Sequence, residues 1–432
     1  MNGQREVAIR VPVLARVEGE GALEIDIREG RIDELRLRIY EPPRFFEKLL
    51  EGRSYEEVPD LVARICGICP VAYQMSAVHA LEQIFAATPG PWVRAMRRAL
   101  YCGEWIESHA LHIHLLAAPD FLGYESVIAM AADHPDVVRR GLALQGLGND
   151  LIRLLGGRSV HPIGVRAGGF HRAPTRDEVR AITARLRAAE PEARALVAWA
   201  AALPLPHDAQ DFVSVALRHP HEYPMNEGRI VSDRGLDIDI AAFDQRFAET
   251  QVAHSTALHA LLDGAPYLVG PLARVNLNAD RLPAPVREAL RATGIDFPSR
   301  NLFHSIVARA AEIHYALLEA VRILEAYDPP PSPGVAVSPC AGVGFGCTEA
   351  PRGLLWHRYE TDAAGLIRAA RIVPPTSQNQ ARIEEDLRCS LEAFGLDQPD
   401  AALRQRAETV IRNYDPCISC ATHFLRLEVR RG

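Results

Sequence analysis

Apolar and polar positions alternate with a period of two in three early runs: EVAIRVPV (6–13), GALEIDI (21–27) and IDELRLRIY (32–40). REGR (28–31) separates the last two, so the start of the chain predicts a small antiparallel sheet. Beyond it the apolar spacing shifts to three and four, which predicts helices over 70–87, 92–117, 134–154, 175–202 and 302–327. Local start signals agree. Pro70 sits where a first helical residue tolerates proline, and Thr175 with Glu178 forms a capping box. YDPPPSPG (327–334) is the strongest break, because consecutive prolines cannot continue a helix. After it come GVGFG (342–346), read as a glycine-rich loop, then the strand-like runs GLLWHRYET and GLIRAARIVPP, and helices near 378–394 and 399–412. No internal repeat or low-complexity tract occurs. The expected fold is α+β and mostly α: a central helix bundle with small peripheral antiparallel β pieces. One domain spans 1–432, with an N-terminal β region (1–42), a helical body (43–326) and C-terminal strands and helices (335–432).

The composition, 48% apolar and 24% charged over 432 residues, is that of a globular chain able to bury a large core. A net charge of −7 gives no basic field for nucleic acid or an anionic membrane surface. No run of 18 apolar residues occurs, and MNGQREVAIRVPVLARVEGEG has neither secretory nor transit layout, so a soluble cytoplasmic protein is expected. Eight cysteines in such a chain argue for metal ligands or redox groups rather than a disulfide scaffold.

Four of them are paired by spacing: Cys66 and Cys69 in RICGICP, and Cys417 and Cys420 in DPCISCATH, 351 positions later. A CxxC can place two thiolates on one metal, and two such units make a four-sulfur site for zinc, iron or another soft metal. Zinc ribbons separate their pairs by about 15–20 residues. A gap this long instead requires a large fold to bring both ends together. A thioredoxin-like redox motif fits less well, since there are two copies and no βαβ setting.

The flanks sharpen the reading. Arg64 before the first pair, Asp-Pro before the second and His423 after it resemble the two signatures of nickel-iron hydrogenase large subunits. RVEGEG (16–21), PPRFFEKLLEGR (42–53), TEAPRGLLWHRY (348–359) and VPPTSQNQ (373–380) resemble further blocks of that family, in the same order. ESHALHIHLL (107–116) and YPMNEGRIVSDRGLDID (223–239) are similar to its cytoplasmic NAD(P)-coupled, sulfhydrogenase-type branch.

The resemblance implies a catalytic subunit that splits dihydrogen heterolytically and reversibly into protons and electrons. Cys66 and Cys417 would be terminal nickel ligands, with Cys69 and Cys420 bridging to an iron that carries carbon monoxide and cyanide. Cys417 or the guanidine of Arg352 would take the proton, and Glu18 would pass it on. A carboxyl held among apolar groups can both take and give a proton near neutrality; otherwise Glu18 and Glu20 merely decorate a strand turn. Glu47, the carbonyl of Ile372 and His423 would hold a magnesium-type ion, or iron. Arg352, stiffened by Pro351, would sit over the metals; the alternative is a surface arginine paired with Glu349. Thr376 would hydrogen-bond a cyanide, and Asp415 would support the ligand loop beside the arginine.

Two positions depart from the family pattern. Tyr73 stands where a histidine is usual, and a phenol can donate to a sulfur or cyanide but cannot carry a proton at neutral pH. Ser108, 42 residues after the first cysteine, replaces an aspartate, which questions that part of the arginine's surroundings. His109 and His112 share a helix face near Cys102 and read as packed histidines rather than a further metal site. GVGFG lacks a following Gly-Lys-Ser/Thr and any nucleotide-binding context. NAD(P) must therefore bind a partner. The implied partners are an iron-sulfur small subunit, since the chain has no further cysteine cluster, with flavin (FAD) and NAD(P) diaphorase subunits beyond it. A maturation protease and nickel chaperones are implied too, because family precursors lose a C-terminal extension; FLRLEVRRG (424–432) is a clipped end or an unremoved stub. Two rivals stand beside this reading: a quinone-linked, energy-coupling relative, and a zinc-stapled scaffold without activity.

Overall fold

The computed structural model describes residues 6–422. Its N-terminal region is the expected sheet, with Val7–Val11, Gly21–Arg28 and Arg31–Ile39 paired antiparallel in order. Val7, Ile9 and Val11 face inward while Ala8 and Arg10 do not, which is the period of two made physical.

The body is a bundle centred on Pro91–Leu111, which packs against Pro135–Gly156 on one side and Ser305–Glu325 on the other. Arg176–Ala201 lies against Ser305–Glu325 from outside, and its capping box between Thr175 and Glu178 is formed. Pro91–Leu111 runs on through a wider π-type turn, His112–Ala117, into Ala118–Leu122. Its middle, from Met96 to Ala110, is buried all round, including Arg97, Arg98, Glu104, Glu107 and His109. Among the described residues no single helix is long and apolar enough to cross a membrane.

Two parts differ from the expectation. GVGFG is not a loop. It opens the strand Gly342–Ala350, which pairs with Gly353–Thr361, and that in turn with Ile367–Val373. A Cβ at Gly344 or Gly346 would stand 2.2 Å or 1.9 Å from the carbonyls of Ala80 and Ser76. The glycines let this strand press onto the helix Pro70–Ile84; they do not loosen the chain. The stretch expected to be helical also holds three small sheets among the described residues, Val165–Arg166 with Gly169–Phe170, Val215–Arg218 with Arg229–Ser232 and Asp237–Ile238, and Phe247–Thr250 with His259–Leu262. Strands of two to four residues carry too few alternations to register as a period.

One buried apolar cluster runs from Val7 to Ala421 and contains all four paired cysteines. A smaller one gathers Phe243, Phe247 and Trp356, their rings stacked at 4.4 and 4.7 Å, behind the 342–373 sheet.

Candidate metal centre

The first cysteine pair lies where a tight turn enters the helix Pro70–Ile84. The Cys66 Sγ accepts the N–H groups of Ile68 (3.3 Å) and Cys69 (3.4 Å), which curls the loop round the sulfur. Glu104, from the central helix, caps the start of the next one: its carboxylate accepts from Val71 N (2.6 Å) and Ala72 N (3.1 Å).

The second pair follows the helix Asp400–Tyr414, whose end is turned by Asp415 in the left-handed region (φ 56°). Cys417 and Cys420 then flank the start of the short helix Ile418–Ala421. The N–H of Cys417 donates to the Thr376 hydroxyl (3.1 Å), and that of Ile418 to the Glu18 carbonyl (3.0 Å). Arg44 ties the two loops together, donating to the carbonyls of Ile65 (2.6 Å) and Ser419.

The outcome is a single cluster. Cys66 and Cys417 sulfurs are 3.3 Å apart, Cys69 and Cys420 3.7 Å, Cys417 and Cys420 2.7 Å, and all four lie buried within 4.8 Å of one another, outside any disulfide. Contacts from the Cys417, Cys420 and Cys69 thiols hold Cys66 well below the usual thiol range, while burial pushes Cys417 and Cys420 up. Four sulfurs this close cannot all carry charge unless a cation neutralises them.

Glu18 reaches the cluster directly, its Oε2 accepting from Cys417 Sγ at 3.1 Å and from Ser419 N at 3.1 Å. Gly19 makes this approach possible. Its φ is +89°, and a Cβ there would stand 2.6 Å from both the Ile418 Cβ and the Glu41 Oε2. The RVEGEG strand end is thus built to lie on the 417–420 loop, not to decorate a turn.

Arg352 is 3% exposed. Its Nε donates to the Asp415 carbonyl (2.7 Å) and its Nη2 to Asp415 Oδ1 (3.0 Å), while Arg309 meets Asp415 Oδ2 (3.3 Å). Asp415 together with the charges of Cys417, Cys69 and Cys66 holds the guanidinium firmly protonated despite burial. The pairing with Glu349 is not found. Glu349 instead accepts from Arg274 (3.0 Å) and Leu217 N (2.6 Å). Arg274 is bidentate to Glu312 at 2.7 Å and also donates to the carbonyls of Ala350 (2.7 Å) and Pro351 (2.9 Å), so it fixes the turn that presents Arg352.

Two buried donors are left for a guest. Among the described residues the Nη1 of Arg352 has no hydrogen-bond partner, and the hydroxyl of Tyr73 meets no nitrogen or oxygen, only the Cys420 sulfur. Burial, with the charges of Cys420, Cys69 and Cys417, pushes the Tyr73 phenol well above its ordinary range, so it stays protonated and able to donate. Four thiols plus unsatisfied donors fit a soft metal centre that carries acceptor ligands. Ser108 is buried with its hydroxyl unpartnered, and the arginine is held by Asp415 without an acid there. His109 bonds Glu312 (2.9 Å) and Arg309 (3.3 Å), and His112 the Arg412 carbonyl (2.7 Å); burial lowers them to about 4 and about 3, and both sit in the core, the Nδ1 of His112 without a partner among the described residues. Burial raises the thiol of Cys102, and it joins no ligand group among the described residues.

Glu47 and Ile372 are also brought together, the Glu47 Oε1 accepting from Ile372 N at 2.7 Å. Burial raises Glu47 to about 8, with Glu249 adding repulsion. His423, the third residue expected there, and the tail 424–432 lie outside the described residues.

Sequence reasoning passed over Arg44, Arg274, Arg309, Glu104 and Glu312. Arg44 stood in a quoted motif, but nothing local shows that its side chain reaches residue 419. The others sit on helix stretches buried all round, where polar spacing marks no face.

Comparison with known proteins agrees with this geometry. The model of the nickel-dependent hydrogenase family matches residues 44–140 and 259–423. Sulfhydrogenase 2 subunit alpha of Pyrococcus furiosus is 33% identical over 97% of this chain and 100% of its own length. The structure of an NAD+-reducing [NiFe]-hydrogenase in the H2-reduced state superposes with a TM-score of 0.89 at 29% identity, covering 96% of this chain and 99% of that one. The Ni-Fe-Se hydrogenase of D. vulgaris Hildenborough, at 22% identity, shares the fold (TM-score 0.81; 97% and 100% covered). The chain belongs to the nickel-dependent hydrogenase family. Within it, this is a large, catalytic subunit, an oxidoreductase acting on hydrogen.

Proposed function

We propose that this subunit cleaves dihydrogen reversibly in a cytoplasmic, NAD(P)-coupled hydrogenase. Support for the acceptor comes from the likeness to the NAD+-reducing enzyme and to the sulfhydrogenase subunit. A nickel-iron centre supplies, when bound, the redox chemistry that separates dihydrogen into two protons and two electrons. Cys66 and Cys417 would hold nickel as terminal ligands, and Cys69 and Cys420 would bridge to iron. The Arg352 Nη1, the Tyr73 hydroxyl and the Thr376 hydroxyl would be available to donate to acceptor ligands of such a centre, the carbon monoxide and cyanide expected on its iron. Pro351 stiffens the turn and Asp415 fixes the guanidinium.

The proton path begins at one contact, Cys417 Sγ to Glu18 Oε2 at 3.1 Å, and this observation carries the reading. The thiol gives its proton to the carboxylate, and Glu18, half-buried, passes it outward. The four cysteines themselves are only 1–4% exposed, which limits the access of bulk water to their sulfurs. Glu47 and the Ile372 carbonyl, with His423, would hold a magnesium-type ion. An iron-sulfur small subunit takes the electrons, with flavin and NAD(P) diaphorase subunits beyond it. Nickel chaperones and a maturation protease assemble the site.

Infrared spectroscopy with elemental analysis of the purified protein tests this. Sharp carbon monoxide and cyanide bands with nickel and iron present are expected; zinc alone at the four cysteines overturns it.

A further inference from the structure

A second cluster of potential metal ligands lies away from the four cysteines. His254, His259 and Glu384 each offer one ligand atom, and these atoms fall within 4.8 Å of one another. They come from separate parts of the chain: the 251–258 loop, the first residue of strand His259–Leu262, and the middle of the helix Pro375–Phe394.

The His254 Nε2 meets Glu384 Oε1 at 2.8 Å, which by itself would be an ordinary ion pair. That reading leaves a remainder. His259 is 4% exposed, and its Nε2 is buried with no hydrogen-bond partner among the described residues. An imidazole nitrogen left so costs about 1–3 kcal/mol, and the structure shows nothing that repays it. The two histidine rings stand 5.9 Å apart and nearly perpendicular (83°), so they do not stack.

We propose that His254, His259 and Glu384 bind a divalent transition metal of the zinc type. Two imidazoles and a carboxylate are a three-residue set that zinc takes with an open fourth position. Ligand atoms about 3.3 Å apart, as tetrahedral bonds of about 2.0–2.1 Å require, need only small side-chain rotations from the positions seen. The surroundings already hold the ligands. Gln251 Nε2 donates to the Ser255 carbonyl (2.6 Å), Thr250 Oγ1 to the His259 carbonyl (3.0 Å), and Glu384 Oε1 also accepts from Leu37 N (2.9 Å). Entry comes from a surface groove of about 530 Å³ lined by Arg38, Tyr40, Gln251, His254 and Thr256. The metal joins the 247–262 hairpin to the middle of the helix whose first turn carries Thr376, while Leu37 N of strand Arg31–Ile39 holds the Glu384 carboxylate from the side.

The test uses the nickel-loaded complex, stripped of loosely held metal by a mild chelator and titrated separately with Zn2+ and Co2+. About one further equivalent of zinc per large subunit, and visible cobalt bands of tetrahedral intensity, are expected. His259→Gln and Glu384→Gln should each lose that equivalent and those bands while keeping nickel content and the circular dichroism spectrum; Glu384→Gln preserves an acceptor for Leu37. No extra equivalent in the parent protein, or its full retention in both variants, overturns the proposal.

Discussion

The two cysteine loops carry the same four-residue motif and are held in opposite ways. The Cys66–Cys69 loop leads straight into a 15-residue helix and is capped by Glu104, 35 positions beyond Cys69, so its shape is set within the body of the fold. The Cys417–Cys420 loop has a four-residue helix, a left-handed Asp415 and contacts to residues 18, 44, 352 and 376. One loop is a rigid floor. The other is held by contacts from the segment before strand Gly21–Arg28, from the turn of the 342–373 sheet and from the helix Pro375–Phe394, all distant from it in sequence.

Substitutions separate these roles. Cys66→Ser and Cys417→Ser should both abolish hydrogen uptake, because either loop supplies half the donor set, whereas Cys102→Ser should retain it; a hydrogen-uptake assay decides. Equal losses from all three would dissolve the distinction between ligands and core thiols. Arg352→Lys should keep nickel yet lower turnover about 100-fold, since an ammonium cannot span the Asp415 carbonyl and carboxylate while still offering a spare donor. Elemental analysis beside steady-state rates reads both.

Smaller effects distinguish floor from closure. Glu104→Gln loses one acceptor for Val71 or Ala72 and should cost about 1–3 kcal/mol of global stability in denaturant melts. Thr376→Val should cost about 1 kcal/mol, seen as faster hydrogen exchange confined to the second loop. If the exchange spreads equally to residues 66–72, the loops are one unit. The gentlest test is pH. Glu47 titrates near its ordinary value of 4.5 when unfolded and about 8 when folded, so the folded state binds more protons between those values. Stability of the metal-free protein should therefore be highest below pH 4.5 as far as this group is concerned, fall as pH rises through 8, and stay lowered above it. Glu47→Gln should flatten that fall, and Mg2+ should oppose it; melting temperatures across the range check both.

Much of this was legible beforehand where the signal was local. Proline at the first helical position, the Thr175–Glu178 box and the period-two runs each mark their element with neighbours in sequence. The glycines of GVGFG misled because a flexible residue reads as a turn, while their use is to admit the backbone of Ser76 and Ala80, more than 260 positions away. Residue type and spacing alone named Cys66, Cys69, Cys417 and Cys420, whereas Glu18, Arg352, Thr376 and Asp415 came from the resemblance of their blocks to the family. What those residues touch was not in the spacing. That Arg352 turns to Asp415 and leaves Glu349 to Arg274, that Arg44 binds both loops, and that His254, His259 and Glu384 converge were decided by tertiary structure. Thiolates, carboxylates and guanidinium groups announce a chemistry wherever they stand, but a contact between them depends on loop closure over hundreds of residues, and only the packed core fixes which closures occur.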